Sequence, residues 1–213
     1  MIALKEWAII CKALEDGRQT LLLRKGGILE YRKGFEVKHS EFLLYPTFEH
    51  QSMNSIKTEY KEKLNEKVDQ NKHIIKNEIN GNDKNYDIHN TNIIKLLAKV
   101  EDVVEITDKT ILSNLRDYHI WNDEYVMMRM NYNPNKPMSI LLLRIYKMKD
   151  PLIIEVKDQW SGCKSWIDIE IDTDIQNYNN LETLVNEKPL IDPVLNDDIF
   201  YDSVNKIRKV IGK

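Results

Sequence analysis

The chain has 213 residues, of which 42% are apolar and 31% charged, and its 34 acidic and 31 basic residues leave a formal net charge of -3. This composition is typical of a folded globular protein and excludes a disordered chain. The mild acidic excess disfavours general coating of duplex DNA, because that mode of binding depends on basic side chains that neutralise phosphates. Any nucleic-acid contact therefore requires a local basic patch.

No apolar run approaches the roughly 20 residues that span a bilayer. The N-terminus lacks the basic, apolar and small-residue pattern of a secretory signal. The chain contains only two cysteines, Cys11 and Cys163, which are too few for a disulfide framework or a zinc ribbon. These features predict a cytoplasmic protein without a membrane partner, and they leave the oligomeric state open.

The first fifty residues predict strands joined by glycine-containing turns. The apolar stretch 7–14 is compatible with a strand or a short helix, and a strand follows over 19–23. The apolar run 42–45 predicts another strand. Pro46 is expected to end it, because proline has no amide to donate to a sheet ladder.

The middle of the chain predicts helices on either side of a loop. Apolar residues recur at every fourth position within 52–70, which predicts a helix. Seven of the 22 residues in 71–92 are asparagine, which predicts a loop or insertion. The spacing of Ile93, Leu96, Leu97 and Val100 again predicts a helix, and Asp108 is placed to cap another one.

The second half predicts further strands and a final helix. Residues 121–131 are compatible with a helix or a strand, whereas 139–147 and 152–157 predict two separate strands. Isoleucines alternate with acidic residues over 165–172, which is typical of a half-buried strand. A helix is predicted from about Asp197, with an apolar face that repeats every three or four residues.

These elements predict an α+β fold with mixed, mostly antiparallel strands in an N-terminal and a C-terminal lobe and three to five helices, with a barrel-like sheet as one form. The predicted division is a strand-rich lobe with a helix over 1–70, an Asn-rich loop or insertion over 71–92, and an α+β lobe over 93–213. A single domain formed by both lobes is the alternative.

Several polar and aromatic blocks stand out: ALKEW over 3–7, LLRKGGI over 22–28, FLLYPTFEHQ over 42–51, HIW over 119–121, LRIY over 143–146 and GCKSW over 162–166. Together they resemble a bacterial family, the domain-of-unknown-function family 1802. The resemblance covers most of the chain outside 71–92 and the C-terminal helix, and it brings no activity with it. It implies a bacterial protein that sometimes occurs with restriction-type endonuclease domains, and hence a setting in restriction or defence.

A second, shorter resemblance involves the turn Gly17-Arg18-Gln19-Thr20 and the following Arg24. Over fewer than ten residues this stretch is similar to the first turn and strand of ASCH-type RNA-binding barrels. It bears on architecture only.

The block Arg24-Lys25-Gly26-Gly27 is the first candidate site. Two cations before a flexible turn can hold a phosphate or carboxylate, because the guanidinium and the free backbone amides all donate hydrogen bonds. The alternative is a tight turn with solvated bases, in which the glycines supply positive φ.

The other candidate ligand-binding residues come from the later blocks: Arg144, Lys164, Trp121 and Trp166. The two cations are expected to contact phosphate and the two rings to stack on bases, whereas large aromatics also commonly fill cores. If Arg144 is buried it requires a partner, for which Glu49 and Glu30 are candidates.

The block Glu49-His50-Gln51 follows a strand and offers a general acid or base. A histidine titrates near neutral pH, and an adjacent carboxylate can tune it. The alternative is that these polar residues cap a helix or brace a loop.

Glu155 and Lys157 have the strand-borne acid-x-lysine form of the PD-(D/E)xK nucleases, in which carboxylates hold Mg²⁺ and the lysine helps to activate water. The alternative is an edge strand with charged residues facing water. No cofactor is predicted outside this nuclease interpretation, and the histidines show no metal-ligand spacing.

The leading functional hypothesis is a bacterial accessory protein that recognises nucleic acid or a nucleotide-like anion, with a restriction-type enzyme as a possible partner. The alternatives are a metal-dependent nuclease or phosphodiesterase and a non-catalytic protein-interaction module. The leading hypothesis predicts that Arg24, His50 and Arg144 converge on one cleft.

Overall fold

A computed structural model describes residues 1–26, 34–62, 91–170 and 190–213. Seven strands occur in these ranges: β1 (Ile2–Trp7), β2 (Leu21–Arg24), β3 (Glu41–Thr47), β4 (Thr91–Ile106), β5 (Met138–Glu155), β6 (Trp166–Asp168) and β7 (Ile191–Pro193). The α-helices with both ends in these ranges are α1 (Ala8–Glu15), α2 (Lys109–Asn114), α3 (Asp123–Asn131) and α4 (Asp197–Ile211), and short 3-10 helices occupy Met53–Ser55, Arg116–Tyr118 and Asp158–Trp160. Residues 58–62 are helical as well.

All seven strands belong to one sheet with the order β2-β5-β4-β3-β1-β6, and β7 also pairs with β5. The β1–β3 pair is parallel and the other pairs are antiparallel. The predicted α+β class with mixed, mostly antiparallel strands is therefore confirmed, and the sheet curls as a half-barrel. The division into lobes over 1–70 and 93–213 stays a prediction, although strands from both segments share this sheet.

Strand β1 passes into helix α1 without a loop, because Trp7 is both the last residue of the strand and the N-cap of the helix. Six of the eight residues of α1 are buried, so the apolar stretch 7–14 forms a core helix. The helix ends at Glu15, and the turn that follows contains Gly17, whose φ of +66° favours glycine. A Cβ at Gly17 would lie 2.6 Å from the Leu195 side chain, so this turn also requires glycine for close packing.

The predicted helix over 93–100 is wrong, because these residues lie in the 16-residue strand β4. Both faces of β4 are covered: Ile94 and Leu97 face one core, and Leu96 and Ala98 face the other. A strand that is buried on both sides has apolar residues at nearly every position, and these include the spacing expected of a helix. Register shifts at Ile94/Leu96 and Val100/Asp102 further disrupt the alternation.

Two predicted strand boundaries are also wrong. Strand β3 continues through Pro46 to Thr47. Its backbone pairs with β4 only over Glu41–Leu43, so no ladder bond on that side requires a proline N–H, and the Asn92 side chain of β4 donates to the Pro46 carbonyl instead. The segment 139–147 and residues 152–155 of the second predicted strand form one strand, β5, because β4 pairs with both across a register shift; Val156 and Lys157 lie beyond its end.

The two helices predicted after residue 107 are confirmed. The Asp108 side chain accepts a hydrogen bond from the Thr110 N–H at 2.8 Å and caps α2. The ambiguous segment 121–131 contains α3, which Asn122 caps. Helix α4 buries the apolar face predicted for it, which consists of Phe200, Val204, Ile207 and Ile211.

Several predictions lie outside the described residues. These are the second part of the helix over 52–70, most of the Asn-rich segment and the end of the strand over 165–172. Thr91 and Asn92, the last residues of the Asn-rich segment, belong to β4. In the described ranges, no helix combines the length and the apolar character needed to cross a membrane.

Candidate functional site

The parallel strands β1 and β3 end side by side, with Trp7 in register with Thr47. The chain after β3 therefore lies next to the start of α1. The Gln51 side-chain oxygen accepts a hydrogen bond from the Ile9 N–H at 2.9 Å, and the Glu6 carboxylate accepts one from the Trp7 N–H at 2.8 Å. These bonds satisfy two of the donors that a helix leaves open at its N-terminus.

Lys5 is a buried cation on β1, with 6% of its surface exposed. Its Nζ donates hydrogen bonds to Glu49 Oε2 at 3.1 Å, to the Trp160 carbonyl at 2.7 Å and to the Gly162 carbonyl at 2.9 Å. All three ammonium donors thus have acceptors, which is the condition for burying a lysine without a large penalty. Lys5 ties β1 to the segment 158–162 and to Glu49.

Arg24 is a partly buried cation at the end of β2. Its Nη1 donates to Glu6 Oε2 at 2.9 Å and to the Lys5 carbonyl at 3.2 Å, and its Nη2 donates to Ser165 Oγ at 2.9 Å. The guanidinium lies over the Phe35 ring, 5.0 Å from its centroid. Its side chain keeps 17% of its surface exposed, so it can still be approached from solvent.

The block Glu49-His50-Gln51 braces the strand ends through its first and last residues, which contact Lys5 and the start of α1. His50 lies between them, exposed, with a φ of +57°. A left-handed backbone is uncommon outside glycine, although histidine is among the residues enriched there. The bracing interpretation thus has observed contacts, and an acid–base role for Glu49 and His50 stays a prediction.

The turn Lys25-Gly26 continues from Arg24. Lys25 is buried, and its Nζ donates to the Lys136 carbonyl and to Met130 Sδ. Burial lowers the pKa of Lys25, and the nearby Arg129 charge lowers it further. Gly26 has a φ of +81°, and its carbonyl accepts a hydrogen bond from Arg129 Nη2 at 2.9 Å. Gly27 lies outside the described residues.

Tyr125 connects the two arginines. It precedes Arg129 by one turn of α3, and charges at Arg129, Glu6 and Arg24 all act on its hydroxyl. Burial is the largest effect and raises the pKa of Tyr125 to about 12, so the hydroxyl stays protonated at neutral pH and can donate a hydrogen bond. The Trp7 ring lies beside it, with centroids 5.0 Å apart.

We call Trp7, Arg24, Lys25, Tyr125 and Arg129 the Arg24–Arg129 surface.

Arg144 does not share contacts with this surface. Its Nη2 donates to Asp197 Oδ1 at 2.5 Å, its Nη1 donates to the Asn196 carbonyl at 3.3 Å, and its guanidinium lies 4.6 Å from the Phe200 ring centroid.

The partners predicted for Arg144 are not the ones observed: Glu49 instead binds Lys5, and Glu30 lies outside the described residues. Arg144 therefore anchors the start of α4 to β5, and its contacts give no support to a cleft shared with Arg24 and His50.

The remaining candidates also have separate positions. Trp121 is 3% exposed and belongs to the main core. The partly exposed Trp166 stacks against Phe35 with ring centroids 6.0 Å apart. Lys164 Nζ donates to the Gln159 carbonyl at 2.9 Å on the exposed side of the loop. These contacts describe structural roles, while ligand binding by the three residues stays a prediction.

Of the nuclease candidates, Glu155 is the last residue of β5 and Lys157 lies two residues beyond it, so the two are not both on a strand as predicted. Lys157 Nζ contacts Glu170 Oε2 at 2.5 Å, with both side chains substantially exposed. Glu155 is exposed and pairs in register with Thr91 on β4. In the part of the chain that the structure describes, no group of three or more His, Cys, Asp or Glu is placed to hold a metal ion.

His119 is 2% exposed, and among the described residues neither of its ring nitrogens has a hydrogen-bond partner. Burial lowers the pKa of His119 to about 4, and the Lys57 charge adds to the effect. The unfolded chain, with a histidine pKa of about 6.5, therefore binds this proton more readily than the folded chain. Folding stability is expected to fall by roughly 3 kcal/mol as the pH decreases from about 6.5 to about 4.

Urea unfolding between pH 7 and pH 4 measures this loss. The variant His119→Gln is expected to flatten the dependence of the unfolding free energy on pH, while the exposed control His50→Asn keeps it. If the unfolding free energy of His119→Gln depends on pH as steeply as that of the unsubstituted protein, the assignment of the lost stability to His119 is contradicted.

Four residues of this region were not singled out from the sequence: Lys5, Glu6, Tyr125 and Arg129. Signals for them exist. Lys5 and Glu6 interrupt an otherwise apolar stretch over 2–11, which is unusual unless buried charges are paired. Tyr125 and Arg129 have the i, i+4 spacing that places two side chains on one face of a helix.

The comparisons with known proteins found one family. The family model described as Domain of unknown function (DUF1802) matches residues 3–205. No curated protein matches the chain.

Crystal structures of ASCH from Zymomonas mobilis are similar to this chain at 11% identity. The structure of the protein itself has a TM-score of 0.41, covering 87% of this chain and 94% of that one. The structure of a point mutant has a TM-score of 0.44, covering 87% of this chain and 96% of that one.

Proposed function

Because this chain belongs to the family Domain of unknown function (DUF1802), its function must be inferred from its own side chains, and we propose that it recognises nucleic acid or a nucleotide-like anion. The ligand's phosphate binds at the Arg24–Arg129 surface. An accessory role in restriction or defence, with a restriction-type enzyme as partner, stays a prediction of the sequence resemblance.

The observation that carries the proposal is the excess of positive charge at this surface. Arg24, Lys25 and Arg129 lie close together, and the described contacts provide one carboxylate among them, that of Glu6. Lys25 has a lowered pKa, and part of the cause is repulsion from Arg129. An anion bound between these cations would relieve that repulsion, which makes binding more favourable.

The available donors fit a phosphate. Arg129 uses one Nη2 hydrogen bond on the Gly26 carbonyl, and its guanidinium lies over the Tyr132 ring at 5.1 Å from the centroid. A guanidinium has five N–H donors in a planar fork that matches phosphate oxygens. The protonated Tyr125 hydroxyl adds a neutral donor that interacts electrostatically with both arginines. This is the local basic patch that a mildly acidic chain requires for anion binding.

Arg129→Gln tests the proposal, because it removes one charge without leaving a buried carboxylate unpaired. Binding of a fluorescein-labelled single-stranded oligonucleotide, followed by fluorescence anisotropy, is expected to weaken about tenfold at low salt. The slope of log K against log salt is expected to decrease in magnitude by about 0.7, which corresponds to one lost phosphate contact on a single strand.

Arg116→Gln is the matched control, because Arg116 carries the same charge in an exposed pair with Asp123. It is expected to leave the affinity and the salt slope nearly unchanged. No salt-sensitive binding by the original chain, or equal losses in the two variants, would refute the proposal. Cleavage of the oligonucleotide with Mg²⁺ that disappears in Glu155→Ala would instead establish the nuclease alternative.

A further inference from the structure

Two aromatic side chains form one edge of the Arg24–Arg129 surface. The Trp7 and Tyr125 rings are both partly exposed, and their planes meet at 42° with centroids 5.0 Å apart. Of the two tryptophans considered for stacking from the sequence, Trp121 is 3% exposed and lies in the core, and the partly exposed Trp166 is already stacked on Phe35. Trp7 is thus an accessible indole that adjoins a cationic surface.

The backbone of Trp7 is held next to the arginine site. Its N–H donates to Glu6 Oε1, while Glu6 Oε2 accepts from Arg24 Nη1. One carboxylate thereby positions both the tryptophan and the guanidinium. Such pre-organisation reduces the entropy lost when a ligand is bound by both groups.

We propose that Trp7 stacks on an unpaired base whose phosphate is held by the Arg24–Arg129 surface, so that the ligand class is a nucleotide with an accessible base, as in single-stranded nucleic acid. This inference rests on the proposed function and adds base recognition to it. A stacked ring must reach the flat face of the base, and in a duplex both faces are covered by neighbouring pairs. Stacking on an aromatic side chain therefore favours unpaired strands and tolerates any base sequence.

The Tyr125 ring contributes to this arrangement as a support. It packs against Trp7, and its hydroxyl lies within the electrostatic influence of both arginines. The phenol ring thus contacts the proposed stacking residue, and its hydroxyl is close enough to the cations to interact with them. Replacing Tyr125 with Phe keeps the support for Trp7 and removes only the hydroxyl donor to the phosphate.

The experiment compares four labelled probes of equal length at one salt concentration: a single-stranded DNA, a single-stranded RNA, an abasic strand with the same phosphates, and a DNA duplex. The original chain is expected to bind at least one of the two single strands roughly tenfold more tightly than the abasic strand and the duplex. Competition by a free mononucleotide then distinguishes recognition of a single nucleotide from recognition of a strand.

Trp7→Leu is expected to remove the preference for bases over the abasic strand, and Trp7→Phe to restore part of it. Tyr201→Leu is the matched control, because Tyr201 is an exposed aromatic on α4, with 48% of its surface accessible. Circular dichroism and urea unfolding show whether each variant is folded, and quenching of tryptophan fluorescence in the original chain supplies a readout that needs no substitution.

The outcomes separate the two proposals. If Arg129→Gln weakens binding of all probes while the abasic strand binds as well as the base-containing strands, the anion site stands and the stacking inference is refuted. If the duplex binds as tightly as the single strands, stacking is likewise refuted. If no probe binds, the proposed function fails and the inference fails with it.

Discussion

Arg24→Met is expected to lower the free energy of unfolding by about 3–5 kcal/mol, because it leaves a buried carboxylate without its cation. The Glu6 side chain is 7% exposed, and Arg24 Nη1 is its ion-pair partner at 2.9 Å. Ser165 Oγ and the Lys5 carbonyl lose hydrogen bonds in the same variant. Urea unfolding at pH 7 measures the loss.

A second substitution separates the charge effect from general disruption. In the double variant Glu6→Gln with Arg24→Met, no buried charge is left unpaired, and part of the loss is expected to be recovered. Arg116→Met is the control, since its exposed pair with Asp123 should contribute less than about 1 kcal/mol. If the double variant is as unstable as the sum of the single variants, the Arg24–Glu6 pair is not coupled as described.

Lys5→Met is expected to cost about 3 kcal/mol, because a methionine of similar length fills the space and satisfies none of the acceptors. The Trp160 and Gly162 carbonyls lose their donor. The Glu49 side chain is 43% exposed and can regain water, so the cost comes mainly from the two carbonyls. The midpoint of urea unfolding, at constant m-value, reports this change.

Lys99→Met is the matched control for Lys5. Lys99 Nζ also binds a glutamate, Glu41 Oε1, at 3.1 Å, but its side chain is 52% exposed. An exposed pair contributes at most about 1 kcal/mol. Equal losses of unfolding free energy in the two variants would show that burial of Lys5 adds little to stability, and the structural role assigned to Lys5 would be wrong.

Within this region, the effects of Lys5 and Arg24 on stability can be separated from the effect of Arg129 on ligand binding. Lys5 and Arg24 stabilise the fold through paired buried contacts, so their loss affects every activity of the protein. Arg129 also belongs to the Arg24–Arg129 surface. Its hydrogen bond goes to a neutral group, the Gly26 carbonyl, so replacing Arg129 is expected to destabilise the fold less than replacing Lys5 or Arg24. It is therefore the residue whose removal tests anion binding most directly.

Local signals predicted much of the second half of the chain. The Asp108 cap depends only on a side chain and an amide two residues away, and the apolar face of α4 repeats within a single helix. Such features require no distant contacts, so a pattern of neighbouring residues is sufficient to predict them.

The failures occur where distant contacts decide the outcome. The spacing of Ile93, Leu96, Leu97 and Val100 fits a helix, yet pairing with β3 on one side and β5 on the other makes this segment a strand. Similarly, Pro46 does not end β3, because the sheet leaves that side of the strand unpaired beyond Leu43. Neither partner is visible in the local sequence.

The sequence by itself determined the α+β class, the glycine turn after Arg24 and the concentration of polar residues in the first 51 positions. Only the tertiary structure decided which of those polar residues meet: Lys5 with Glu49, Arg24 with Glu6 and Ser165, and Gly26 with Arg129. It also placed Arg144 with Asp197. The physical reason is that a charge pattern along the chain specifies possible partners, whereas strand order and register determine which of them lie within hydrogen-bonding distance.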